Sequence, residues 1–155
     1  MAMELFVLSD QQLNSVRQWQ DAIDGEGYPL HLVGNKRIGA LKGFLPALLR
    51  DTKTGFECNL WPADEFMREM PDVNFGHEWK YALAFRWGGN LNQVPAVWMA
   101  AAAYAKATDG VVLDEEGKLR TAAEARSVVE QVEREMPQIE AILRNVTQGF
   151  QRDRK

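Results

Sequence analysis

The stretch Lys80-Tyr81-Ala82-Leu83-Ala84-Phe85-Arg86-Trp87-Gly88-Gly89 decides the reading of this chain. Tyr81, Leu83, Phe85 and Trp87 alternate with Lys80, Ala82, Ala84 and Arg86. Successive strand side chains point to opposite faces, so this pattern predicts a strand with one face buried. Gly88-Gly89 breaks it. Gln93 to Thr108 then reads as an alanine-rich helix, with Pro95 in its first turn, where a missing N–H costs nothing. Ala100 to Ala103 permit close approach to a sheet or another helix.

Toward the N-terminus, Phe56, Cys58 and Leu60 alternate with Glu57, Asn59 and Trp61, a second period-2 run. The apolar run Leu41 to Leu49 is interrupted by Pro46 and reads as an edge strand or a loop leading into one. With Asp51 to Gly55 as the turn, the two runs form a hairpin. Glu4 to Leu8 and Leu30 to Val33 are further short strands. Ser9 and Gln12 spell a capping box, predicting a helix with Leu13, Val16, Ala22 and Ile23 inward and Gly25-Glu26-Gly27 at its end. Ala63 to Met70, bounded by Pro62 and Pro71, reads as a short helix.

Toward the C-terminus, Gly110 to Leu113 is a short strand, Asp114 to Gly117 a polar turn, and Lys118-Leu119-Arg120 an antiparallel return. Thr121 and Glu124 spell a second capping box. It opens a helix over 122–152 with the apolar stripe Ala125, Val128, Val129, Val132, Met136, Ile139, Leu143, Val146 and Phe150. Pro137 lies inside the stripe and predicts a kink, or a break into two helices, near Glu135. The sum is a single α+β domain over residues 1–155: a mostly antiparallel sheet of about five strands packed with three main helices.

At 155 residues and 46% hydrophobic, the chain can bury the core of one domain. Its net charge of −4, without a long basic run, argues against direct nucleic-acid contact. The basic cluster Arg152, Arg154 and Lys155 reads as a solvated terminus. The single cysteine, Cys58, precludes an intrachain disulfide and reads as a buried thiol in a reducing compartment. Met1 to Leu8 has neither a basic leader nor a small-residue cleavage site. The apolar stretch Ala96 to Ala105 falls short of the about 20 residues a bilayer span needs. The expectation is a soluble, cytoplasmic protein without membrane contact.

Chemistry-bearing patterns are sparse. His31 and His77 stand in no metal-binding spacing, so no metal and no cofactor is expected. Ser9, Ser15 and Ser127 lie on no strained nucleophile turn, and no catalytic set emerges. Gly88-Gly89-Asn90 precedes a helix, as phosphate loops do, but also as ordinary strand-to-helix turns do. It marks the alternative reading, a small-ligand or nucleotide-binding domain, with or without enzymatic activity. A second alternative is a structural or adaptor protein that self-associates through the C-terminal apolar stripe.

The acidic stretch holds Asp64, Glu65, Glu69, Asp72 and Glu78, with Glu65 and Glu69 on one face if the segment is helical. An acid–base pair would need environments that separate two pKa values. A solvated face needs nothing further. A third reading is a patch complementary to a basic protein, which steers encounter and selects partners. Trp61 alternates away from Phe56, Cys58 and Leu60. Beside Asp64 and Glu65 it is either an interface anchor or core beneath a covering helix.

The strand with Gly55-Phe56-Glu57, the strand Tyr81 to Trp87, the alanine-rich helix, Gly110-Val111-Val112-Leu113-Asp114 before its Glu-Gly turn, and the capped last helix recur together in a family. Over most of residues 40 to 130 the chain resembles bacterial immunity proteins, the partners of polymorphic or type VI secreted toxins. The resemblance implies tight binding to one cognate toxin, no chemistry by this chain, and a toxin acting in the cytoplasm, a nuclease or an NAD-consuming enzyme. Net acidity favours the nuclease, whose cleft must be basic to hold phosphates, with inhibition by occlusion of its active site.

Overall fold

The computed structural model describes residues 3–153, with side chains described as far as Gln138. These residues form seven strands, four α-helices and a 3-10 turn at Ile38–Ala40. The strands are β1 (Met3–Ser9), β2 (Leu30–Leu32), β3 (Phe44–Leu49), β4 (Thr52–Pro62), β5 (Tyr81–Trp87), β6 (Val111–Leu113) and β7 (Leu119–Thr121). The helices are α1 (Val16–Gly25), α2 (Ala63–Arg68), α3 (Gln93–Thr108) and α4 (Ala122–Asp153). The sheet order is β2-β3-β4-β5-β1-β6-β7, every pair antiparallel.

The α+β class stands, with seven strands instead of about five and four helices instead of three main ones. Each of the seven has a counterpart among the segments read as strands from the sequence; the total of about five was low, and β2, β6 and β7 have only three residues each. The fourth helix is α2, six residues long, the short helix read over Ala63 to Met70 and not counted among the main ones.

Two boundaries move. Helix α1 starts at Val16, not after Ser9: Ser15 Oγ accepts the Gln18 N–H at 3.2 Å, and Gln18 Oε1 accepts the Asn14 N–H at 2.7 Å. Ser9 instead ends β1, opposite Tyr81. The hairpin turn is Arg50-Asp51 rather than Asp51 to Gly55. Leu49 pairs with Thr52, and both intervening residues have positive φ, 47° and 69°, the hand that follows strand twist.

Strand β3 is interior, not an edge, and Pro46 is tolerated there for a local reason. Its carbonyl accepts the Val33 N–H at 2.9 Å, so its missing donor falls just where β2 has ended. Pro137 lies within α4, which runs on as one helix, so the expected break is not there. The stripe residues Ile139, Leu143, Val146 and Phe150, and the basic terminal cluster, lie outside the described side chains.

One sheet face carries the core. Leu5 and Val7 (β1), Leu45 and Ala47 (β3), Phe56 and Cys58 (β4), and Leu83 and Phe85 (β5) are buried there under α1, α3 and α4. Helix α3 is buried from Pro95 to Ala105 and touches both the sheet and the other two helices. Its alanines let them approach: Trp19 of α1 donates its indole N–H to the Ala100 carbonyl at 2.9 Å. Trp19 also stands edge-on to Phe85 and Tyr104, with centroids 5.8 and 5.4 Å away. At the end of α3, Asp109 is left-handed and the Gly110 N–H reaches the Ala105 carbonyl at 2.8 Å. A Cβ on Gly110 would stand 2.4 Å from the Leu8 carbonyl, so only glycine lets β6 begin beside β1.

Candidate binding face

The opposite sheet face is covered at one end only. Helix α2 and the segment after it bury Leu8 and Ala82 there, with Phe66, Met67, Phe75 and Trp79 packed over them. Asp10 pins that segment: one carboxylate oxygen accepts the Lys80 N–H at 3.2 Å, and the other lies 2.6 Å from His77 Nε2. The rest of the face is open. Its parity set includes Phe44 on β3, Glu57, Asn59 and Trp61 on β4, Arg86 on β5, and Glu4 and Phe6 on β1.

Most apolar surface that large side chains leave in water gathers on this face. Phe44 is 59% and Trp61 56% exposed, and Val33 beside Phe44 is exposed as well. Phe44 is set by its neighbour: a Cβ on Gly55 would stand 2.4 Å from the Phe44 ring, so the ring lies over the glycine. Trp61 is set by register. It faces Ala82, and the helix that follows it turns Phe66 onto Phe6, ring centroids 4.3 Å apart, leaving the indole uncovered.

Trp61 forms one wall of a groove of about 380 Å³ with Phe6, Phe66 and Met70, rimmed by Glu4, Glu65 and Glu69. A second depression of about 490 Å³ shares Glu4, Phe6 and Met70 and continues to Leu113 and Glu115. Glu4 has Arg86 at 3.8 Å. Among the described residues, Glu65, Glu69 and Glu115 have no basic side chain within ion-pair distance. Burial pushes the Glu115 carboxyl above its ordinary value, and the adjacent Asp114 and Glu116 push the same way.

Of the residues singled out by charge, the structure brings together Trp61, Glu65 and Glu69. Asp64 and Glu78 lie instead on a separate groove of about 950 Å³ with His77 and Trp79, and Asp64 is paired with Arg68 at 3.7 Å. Asp72 is exposed and lines neither. Glu4, Phe6, Phe66 and Met70 were missed. Glu4 and Phe6 were legible as the off-core parity of β1. Phe66 and Met70 depend on how α2 lies on the sheet, which no local pattern reveals.

The glycine loop is committed within the chain. Gly88 donates its N–H to Gln93 Oε1 at 3.2 Å, and Gln93 Nε2 donates to the Gly55 carbonyl at 2.8 Å. The Gln93 and Val94 N–H groups bond back to Asn90 and Leu91, and Pro95 has none, so these donors at the helix start are in use. Gly88 and Gly89 border a shallow depression with Glu57 and Arg86, and Asn90 lines a different one with Phe44 and Val33. Cys58 is fully buried, and burial pushes its thiol far up. Among the described residues no group of three His, Cys, Asp or Glu side chains is placed to hold a metal ion. No helix among them is long and apolar enough to cross a membrane.

What this geometry defines is an antiparallel α+β domain with one helix-covered face and one open face that carries an acidic, aromatic groove. Compared with protein-family models, curated proteins and solved structures, the chain matches none.

Proposed function

We propose that this chain is an immunity protein that neutralises a secreted bacterial toxin by binding it through the open sheet face. The observation that carries the reading is Trp61, 56% exposed beside Glu65 and Glu69, which have no basic partner among the described residues. Tryptophan is among the side chains that contribute most when a partner buries them. Carboxylates at the rim steer a basic partner and add specificity more than affinity. A nuclease has the complementary surface, because its cleft must hold phosphates. The inhibitor then acts as a mimic of the polyanion, placing acidic groups over the cleft and doing no chemistry itself.

The test is protection. Cells expressing the toxin should grow when this chain is co-expressed and stop growing when the Trp61→Ala variant replaces it. Equal protection by both forms would remove the open face from the account.

A further inference from the structure

The sheet edges restrict what can dock here. At the β2 edge the Leu32 N–H donates to Gln20 Oε1 at 2.7 Å, and Gln20 Nε2 donates to the Leu30 carbonyl at 2.9 Å. The Gln20 amide thus fills the place of a neighbouring strand's peptide group. At the other edge, β7 has three residues, and its Thr121 N–H is taken by Glu124 Oε1 at 3.1 Å. Strand addition needs a run of unpaired edge groups, and neither edge supplies one.

The face, by contrast, has an apolar floor and acidic walls. The floor runs from Trp61 to Phe6 and Met70, and Leu113 beyond them is buried. The walls are Glu65 and Glu69 at one end and Glu115 at the other. From β4 to β6 the path crosses three inter-strand gaps, about 14 Å, a length that roughly ten helical residues span.

We propose that the occupant of this groove is a basic amphipathic helix of the partner protein, laid across the strands. Its apolar stripe meets the Trp61–Phe6–Met70 floor, and its Lys and Arg side chains meet Glu65, Glu69 and Glu115. An apolar ridge flanked by cations complements an apolar floor flanked by carboxylates that have no basic partner among the described residues, and a helix carries both on one side. The inference deepens the immunity reading and rests on it, because it names the element of the toxin that the open face would take.

The test uses a labelled peptide of about 18 residues with leucine and lysine in helical periodicity, the same composition scrambled, and a glutamate-for-lysine version. Fluorescence anisotropy at physiological salt reads the binding, and circular dichroism reads helix formation. Only the periodic lysine peptide should bind, gaining helix as it does. Trp61→Ala, and Glu65→Gln with Glu69→Gln, should each weaken it by roughly tenfold or more. Equal binding of the scrambled peptide, binding unchanged in the variants, or no binding of any peptide would each overturn the proposal. Failure here leaves the protection assay untouched, whereas failure of the immunity reading shows in that assay whatever the peptides do.

Discussion

Trp61 stands across the β4–β5 ladder from Ala82, so the largest side chain on the open face is paired with one of the smallest. The alanine cannot cover the indole, and α2 leans the other way, onto Phe6. The tryptophan's place on the sheet is set by register, and its indole is left in water. Trp61→Ala should leave the melting temperature within about 2 °C, because an exposed side chain changes stability by only a few tenths of a kcal/mol. The same change should weaken toxin binding by 2 kcal/mol or more, roughly thirtyfold. Calorimetry on the free and bound protein checks both halves.

The acidic residues divide. Glu65→Gln with Glu69→Gln should slow association with the toxin several-fold at low salt and flatten its salt dependence, with dissociation little changed, as rim charges do. Asp64→Asn should do neither, since Asp64 borders the other groove and is paired with Arg68. Stopped-flow association at several ionic strengths separates the two.

Gln20 should matter to stability and to solubility. Gln20→Ala leaves the Leu30 carbonyl and the Leu32 N–H without partners, which should cost about 1–3 kcal/mol in urea unfolding. It also reopens an edge, so the variant should aggregate sooner at high concentration. A light-scattering time course against the parent protein reads the second effect.

How much of this was legible depended on length and on what a residue faces. The alternation of Tyr81, Leu83, Phe85 and Trp87 was readable because seven residues display a period and one face is buried from Leu83 to Trp87, with Tyr81 half-buried. Helix α3 was readable from its alanines and its Asp109-Gly110 stop, and the Thr121–Glu124 cap is reciprocal as the motif requires, at 3.1 and 3.2 Å. The first capping box was misplaced because Ser9-x-x-Gln12 and Ser15-x-x-Gln18 spell the same motif, and only pairing with Tyr81 assigns Ser9 to a strand. The alternation of β4 placed Trp61 off the core face. Whether anything covers it depended on the path of α2 and on Asp10 holding the segment after it, contacts distant in sequence. For the same reason the charge pattern could not separate Asp64 and Glu78 from Glu65 and Glu69.

The cap of α4 has a pH signature. Hydrogen bonds with Thr121, the backbone one first, hold the Glu124 carboxyl below its ordinary value of 4.5. A depressed folded value means the stabilisation is complete above 4.5 and is lost as pH falls through the folded value. Glu124→Ala should therefore be less stable than the parent at pH 7, and the gap should narrow in strong acid. Urea melts at a series of pH values give the comparison.

Cys58 should behave as a packing group. Fully buried, with its thiol pushed far up by that burial, it should resist thiol reagents in the native protein and react stoichiometrically in denaturant.

The most direct measurement is a pull-down from the native host under conditions that express the toxin, run in parallel with the parent chain and with Trp61→Ala. The account predicts a stoichiometric partner carrying a toxin domain, held by the parent, lost from the variant, and harmless to cells only when the parent is present. Recovery of no toxin-bearing partner, or equal capture by both forms, would contradict it.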